Sequence, residues 1–398
     1  MRILQINSVY GIKSTGRIAY DLLRIQEENG IEGFAACSFT LDKSQNVLSM
    51  SHGRLSDKLN ILKTRLFGRH GFYNKRDTKR LIEYMDEVSP DIIHIHNIHG
   101  HYVNIEMLFN YINKHDIPVV WTLHDCWAFT GHCPHFDYAG CDKWKTGCYN
   151  CPLQKGYPVS WFFDRSKRNY EDKKRLFTSV KKMHLVSPSY WLAGLAKESF
   201  LGKYPVSVVH NGIDIDAFKY TPSDLRKQLG LEDKFVILGI VSNINSTKGG
   251  QYFPELAKML KDDEHILLVS LEEGYDMLPS NITAVGRTEN ARELAKYYSM
   301  ADVFVNPTLQ DTFSMINIES LACTTPVVTF RTGGCMESLT EECGIVVEKG
   351  SVKALYEGIE KIREMKVSPD VCRARGVEFS RENRFSEYID IYRNILIG

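Results

Sequence analysis

Missing from this sequence is any uninterrupted apolar stretch approaching the roughly 18 residues that a membrane-crossing helix needs, which excludes a chain threaded through a bilayer by a helix. Also missing is an excess of charge of either sign. There are 49 Lys and Arg against 49 Asp and Glu, which argues against a generally nucleic-acid-binding surface. The first residues, MRILQINSVYG, lack the basic head and long apolar body of a secretory signal, because Gln5 and Asn7 break the apolar run. That segment reads as a first strand and places the protein in the cytoplasm, where disulfides are disfavoured. What is present is 398 residues, 43% hydrophobic and 25% charged, the composition of a soluble globular protein with room for about two or three domains. The neutral total hides an uneven spread: residues 51 to 80 carry nine Lys and Arg against Asp57 and Asp77, and residues 161 to 182 are also basic. Solvated helix faces account for this. The sharper reading is that the basic first half rests on an anionic membrane surface without entering it.

Short β-branched runs alternate with longer amphipathic stretches, the signature of parallel α/β layers. MRILQIN reads as a strand, GIKSTG as a polar loop and RIAYDLLRIQEENG as a helix ended by Gly30; DIIHIHN (91–97) and PVVWTLHD (118–125) read as buried strands. A second start follows at 235–260, FVILGIVSNINSTKGGQYFPELAKML, with Ser246-Thr247-Lys248-Gly249 echoing Ser14-Thr15-Gly16-Arg17. Two doubly wound, Rossmann-like domains with a ligand in the cleft between them is the economical architecture. The boundary is expected near Asn211-Gly212, giving domains 1–205 and 206–379, with a last helix at about 380–398 that packs back on the first domain.

The stretch DTFSMINIESLACTTPVV (311–328) sets two carboxylates, Asp311 and Glu319, eight positions apart. Strands on either side make residues 308–323 a loop and a helix, with Ser314 as its cap. The N–H groups of residues 314–317 then point out of the carboxyl edge of the sheet, a ready site for a phosphate or diphosphate. Glu319 lies one turn in, on the face of Met315, and Asp311 stays on the loop. A carboxylate offers acceptors only, which suits two adjacent sugar hydroxyls. Acids are also favoured at helix starts by the dipole alone; Lys248, able to neutralise a diphosphate, favours the functional reading.

With these residues in view, the order HNGID…F, TKGG, DTFSMINIESLACTTPVV and TGGCMESL resembles the donor-binding half of retaining GT-B glycosyltransferases of family 4. STGRIAYDLL, PDIIHIHNIHGHYVNI, VVWTLHDCWAFTGHC and SPSYWLAGLAKES are similar to the first half of members that build capsular or exopolysaccharide, of the colanic-acid type. The resemblance implies that Glu319 binds the nucleotide ribose and Asp311 the transferred sugar. It implies that the amides of Ser314, Met315 and Ile316 hold the diphosphate with Lys248, that Gly16 and Arg17 approach it from the first domain, that Arg287 meets the nucleobase, and that His124 stands beside the anomeric centre. Two departures stand out. Asp311 replaces the family's usual Glu, and Asn243 stands where an Arg is often found five residues before the lysine, so that Arg17 or Arg331 would supply the positive charge.

The implied chemistry is transfer of a sugar from a UDP- or GDP-sugar to a glycan or lipid-linked acceptor, with retention and with no metal or other cofactor needed for the phosphates. Preorganised cations and N–H groups stabilise the departing charge. His124, Asp311, Lys248 and Glu319 are the expected catalytic set, with Asp125 as an alternative general base. His94, His96, His99 and His101 invite a metal reading, since His94 and His96 share one strand face; a polar strand edge lining the acceptor cleft is the reading favoured here.

Five of the ten cysteines fall between 126 and 151, and four make C-x7-C-x6-C-x2-C: Cys133, Cys141, Cys148 and Cys151. They read as a structural zinc site or as four unligated thiols. Two other functions stay open: a nucleotide-sugar epimerase of the same fold, and a zinc-stabilised binding module. The expected partners are a nucleotide sugar, a glycan acceptor and an anionic membrane surface, not nucleic acid.

Overall fold

The protein's first nine-residue strand, β1 (Arg2–Tyr10), is buried on both faces, with Ile3, Leu4 and Ile6 fully buried. Such a strand needs layers on both sides. The structure, a computed structural model, describes residues 1–51, 54–244, 247–272 and 278–397; the side chain of Arg54 and, in the second polar loop, Ser246 lie outside the described residues.

The first unit comprises Met1–His210 with Arg384–Gly398. After β1 come α1 (Lys13–Glu28), β2 (Glu32–Thr40), β3 (Val47–Ser49), α2 (Arg54–Phe67), α3 (Lys75–Val88) and β4 (Ile92–Ile95). There follow α4 (Ile105–His115), β5 (Val119–Thr122), α5 (Ser166–Phe177), β6 (Met183–Ser187), α6 (Tyr190–Glu198) and β7 (Val206–Val208). Among the described residues these strands pair in parallel in the order β3-β2-β1-β4-β5-β6-β7. The order reverses between β1 and β4, the switch point where doubly wound sheets hold ligands.

One expectation is corrected here. Gly16 belongs to the first turn of α1 and not to a loop, because Asn7 Nδ2 donates to Thr15 O at 3.0 Å and the Gly11 N–H donates to Gly16 O at 2.9 Å. Gly16 is buried, and a Cβ there would fall 3.1 Å from the Val9 side chain. The missing side chain lets the helix lie close on β1.

The second unit, Asn211–Asn383, runs α7 (Leu225–Gln228), β8 (Phe235–Ile240), α8 (Tyr252–Leu256), β9 (Glu264–Val269), β10 (Ile282–Val285), α9 (Ala291–Met300) and β11 (Val303–Asn306). It continues through α10 (Met315–Ala322), β12 (Val327–Phe330), β13 (Gly344–Val347), α11 (Val352–Met365) and α12 (Pro369–Val377). Its parallel sheet has the order β10-β9-β8-β11-β12-β13 among the described residues, reversing between β8 and β11. The last helix, α13 (Arg381–Ile397), buries Phe385, Tyr388, Ile389 and Tyr392 against Ile3, Ile92, Val120 and the α1 residues Ile18 and Leu22.

Candidate functional site

In the second unit the chemistry-bearing residues gather where the loops leave β8 and β11. Gly249 has a φ of +86°, and a Cβ on it would fall 1.9 Å from Pro307 O. Only glycine allows that turn to press against the end of β11. The Leu309 N–H donates to Thr247 O at 2.9 Å, and Gln310 Nε2 donates to Thr247 Oγ1 at 2.9 Å. The two loops are thereby tied together, and Lys248 Nζ lies 2.9 Å from Asp311 Oδ2. Burial works against the ammonium, but the charge and hydrogen bond of Asp311 outweigh it and raise the Lys248 pKa above its usual value. Lys248 is therefore a cation at neutral pH.

Ser314 occupies the N-cap position of α10, yet its side chain makes no capping bond. Its hydroxyl accepts instead from Asn306 Nδ2 at 2.9 Å, and the same amide donates to Asn317 Oδ1 at 2.8 Å. The expected side-chain cap is corrected: the buried Asn306 at the end of β11 draws the hydroxyl inward. The first-turn N–H groups have no intrahelical acceptor and carry the positive end of the helix dipole. Met315 and Ile316 are half-buried there. Glu319, one turn further, is half-buried and accepts from the Tyr298 hydroxyl at 3.1 Å.

The remaining second-unit residues are more dispersed. Asn243 is half-buried after β8, with Gly250 so close that a Cβ would fall 2.7 Å from Asn243 O. Arg287 is exposed after β10, the edge strand, with β9 and β8 between it and β11. Arg331 is exposed after β12.

The first unit treats its polar residues differently. His124 Nε2 lies 2.9 Å from His96 Nδ1, and the two rings stack at 5.2 Å. His96 Nε2 bonds Gln5 Oε1 at 3.0 Å, Gln5 Nε2 donates to Gln26 Oε1 at 3.2 Å, and Gln26 Nε2 donates to the Tyr392 hydroxyl at 2.9 Å. That hydroxyl meets His94 Nδ1 at 2.7 Å, and His94 Nε2 meets Thr122 Oγ1 at 2.8 Å, itself 3.0 Å from the Tyr388 hydroxyl. His94 and His96 are 0% and 1% exposed. They are sealed members of a relay that runs from α13 to His124, so the expected polar edge lining a cleft is corrected. The physical reason is α13, whose Tyr388 and Tyr392 cover that face of β4 and β5. Burial is the main cause that lowers the His94 pKa to about 3 and the His124 pKa to about 4, so both rings are neutral near pH 7. A neutral His124 joined to a neutral His96 shares one proton in that bond, and the rings' tautomers are coupled.

Beside His124, Asp125 Oδ2 pairs with His99 Nε2 at 2.7 Å, while Asp125 Oδ1 accepts the Trp127 N–H at 2.8 Å. Burial opposes ionisation of Asp125, but the His99 charge and hydrogen bond prevail and hold its pKa at about 2. Arg17 is exposed in the first turn of α1.

Sequence reasoning missed Lys173, which sits in a basic helix yet is 1% exposed. Its Nζ donates to Trp127 O at 2.7 Å and Thr130 O at 3.0 Å and lies 3.3 Å from the centre of the Trp127 ring. It fastens the segment between β5 and the cysteines to α5. Its only sequence signal is helical spacing from Leu176, Phe177 and Tyr170 on the buried side of α5. Cys133, Cys141, Cys148 and Cys151 line one pocket with Phe136 and Trp144, whose rings stack at 5.0 Å. A hydrogen bond between the Cys133 and Cys151 thiols raises the first pKa and lowers the second, and the Gly131 N–H donates to Cys148 Sγ at 3.2 Å. Among the described residues no three His, Cys, Asp or Glu side chains form a group able to hold a metal ion. The four thiols pack around these two aromatic rings.

A family model described as Glycosyltransferase Family 4 matches residues 16–217, and one described as Glycosyl transferases group 1 matches residues 225–364. The putative colanic acid biosynthesis glycosyl transferase WcaC of Escherichia coli (strain K12) is 24% identical over 99% of this chain and 100% of its own. Sucrose-phosphate synthase from Thermosynechococcus elongatus superposes with a TM-score of 0.71 at 16% identity, covering 100% of this chain and 99% of that one. Anabaena Alr3699/HepE, solved with UDP-glucose, gives 0.66 at 15% identity over 98% and 99% of the two chains. At such identities the structural likeness shows the fold, which is the GT-B type.

Proposed function

The chain belongs to glycosyltransferase family 4, and on that premise we propose that it moves a sugar, with retention, from a UDP- or GDP-sugar to a lipid-linked glycan during bacterial polysaccharide assembly. The observation that carries this reading is the pairing of Lys248 with Asp311 at 2.9 Å just before the first turn of α10. A cation, a set of N–H groups and two acids at one sheet edge suit a diphosphate flanked by hydroxyl-rich groups. Lys248 and the N–H groups of Ser314, Met315 and Ile316 hold the diphosphate and take up its charge as it leaves. Glu319, fixed by Tyr298, accepts from the ribose hydroxyls; Asp311 accepts from the sugar; Arg287 meets the nucleobase. Asn243 stands in place of the family's arginine, and Arg17 or Arg331 is assigned the balancing charge.

His124 is assigned to the transferred sugar, as a neutral ring held by His96. The bond between the anomeric carbon and the diphosphate oxygen breaks, the acceptor oxygen bonds that carbon on the same face, and its proton passes to the leaving oxygen. The proposed step invokes no protein nucleophile and no metal. The protein works from the cytoplasm at the inner face of the membrane, where a lipid-linked acceptor would lie. The family assignment displaces the epimerase and binding-module readings.

The test is to incubate the protein with UDP- and GDP-sugars and a membrane extract holding lipid-linked glycans, then read the anomeric configuration of the new linkage. Transfer with retention is expected. Inversion, or donor conversion with no acceptor product, would overturn the reading.

A further inference from the structure

The first unit carries an exposed apolar face for which the donor chemistry has no use. On α2, Leu55, Leu59 and Leu62 are 75%, 49% and 41% exposed. At the helical step these three fall within about 60° of one another, and the buried Thr64 lies on the opposite side. Scattered surface leucines are ordinary, but this stripe does not stand alone. The loop before α5 presents Trp161, Phe162 and Phe163 in sequence, 47%, 68% and 46% exposed.

The loop and the end of α2 are joined. The Trp161 N–H donates to Arg65 O at 2.7 Å, and the Arg65 guanidinium lies 5.7 Å from the Trp161 ring centre. Gly68, next to the end of α2, is so close to the loop that a Cβ would fall 2.6 Å from Phe163 O. The charge around this face is mostly positive. Lys58 and Arg65 flank the leucine stripe on one side and Lys63 on the other, all exposed, and Arg165 lies 5.1 Å from the Phe163 ring centre. The nearby acids are engaged locally: Asp57 accepts from the Ser51 hydroxyl, and Asp164 accepts the N–H groups of Cys151 and Ser166.

We propose that α2 and the Trp161–Phe163 loop form one docking face for an anionic lipid surface. Leucine and aromatic side chains enter the headgroup boundary, and the flanking lysines and arginines meet the lipid phosphates. Tryptophan suits that boundary because its ring is apolar and its N–H can stay wet. The charge pattern selects this occupant over a second copy of the chain, since two such basic faces would repel. The inference deepens the reading of a lipid-linked acceptor by naming the surface that meets the membrane, and it does not depend on which nucleotide sugar is used.

The test sediments the protein with vesicles of phosphatidylcholine alone and of phosphatidylcholine with phosphatidylglycerol. Binding only to the anionic vesicles, weakened by salt, is expected. Trp161→Ser with Phe162→Ser, and separately Lys63→Glu with Arg65→Glu, should each lower that binding by roughly tenfold or more without shifting the thermal midpoint. Equal binding to neutral vesicles, no binding to anionic ones, or variants that bind like the parent would overturn the proposal. So would light scattering that shows a dimer broken by Trp161→Ser with Phe162→Ser, which would assign the face to a second copy. Nucleotide stabilisation is measured on the same samples: if it stands while vesicle binding fails, the docking face alone is refuted and the donor site is not.

Discussion

The two sheets share a parallel, doubly wound plan but place their polar residues in opposite ways. In the first unit Gln5, His94, His96, Gln26 and Tyr392 are buried and bonded to one another, and burial keeps the histidines uncharged. In the second unit Lys248 and Asp311 stay partly open, and Asp311 raises the Lys248 pKa and keeps it a cation. A buried polar chain fixes the orientation of a single ring, His124, at the cost of tolerating no unpaired member. A half-open ion pair keeps charge ready for an anionic ligand. On the proposed reading, the difference gives positioning to the first unit and charge stabilisation to the second.

The strongest break should come at Lys248. Replacing it with Ala is expected to reduce kcat by about a hundredfold or more, the scale of losing one preorganised charge stabiliser, while unfolding is little changed because the side chain is half exposed. Steady-state sugar transfer alongside a thermal melt separates the two.

Next in size, Gly249→Ala should disturb both binding and folding, since its Cβ would meet Pro307 O and its φ of +86° disfavours any side chain. A fall in the melting temperature with a matching loss of nucleotide affinity is expected; an alanine variant that keeps both would mean the two loops are not locked.

Acid should act mainly on the first unit. Burial places the His94 and His124 pKa values at about 3 and about 4, below the usual 6.5. Between those values the unfolded chain binds more protons than the folded one. The stability they confer is therefore complete above about pH 6.5 and is lost as pH falls toward about 4. Hydrogen exchange in β4 and β5, compared with β8 and β11 over that range, should show earlier opening of the first pair.

The smallest effects sharpen the contrast. Tyr392→Phe keeps the ring and removes the hydroxyl shared by His94 and Gln26, so denaturant unfolding should show a loss of about 1–3 kcal/mol. Ser314→Ala should cost less, about 1 kcal/mol, because that hydroxyl serves one hydrogen bond with Asn306 and no helix cap.

Much of the plan was legible in local pattern. The alternation of apolar runs with amphipathic stretches announces parallel layers, and the spacing of Asp311, Ser314 and Glu319 places all three around the start of α10. What stayed hidden depends on distant partners. Nothing near Ser314 in the chain shows that Asn306 will take its hydroxyl. His94 and His96 read as an open strand edge because the residues that seal them, Tyr388 and Tyr392, lie almost three hundred positions later. Lys173 counts as one more basic residue until Trp127 and Thr130 are brought to it. The cysteine spacing is silent on Phe136 and Trp144, which share the pocket with the thiols.

The most direct measurement is calorimetric titration of UDP and GDP into the parent protein, Lys248→Ala, Glu319→Ala and His124→Ala. The account predicts that one nucleotide binds the parent, that both second-unit variants lose it, and that His124→Ala retains it while failing in sugar transfer. Binding unaffected by Lys248→Ala and Glu319→Ala, or abolished by His124→Ala alone, would contradict the division of labour between the two units.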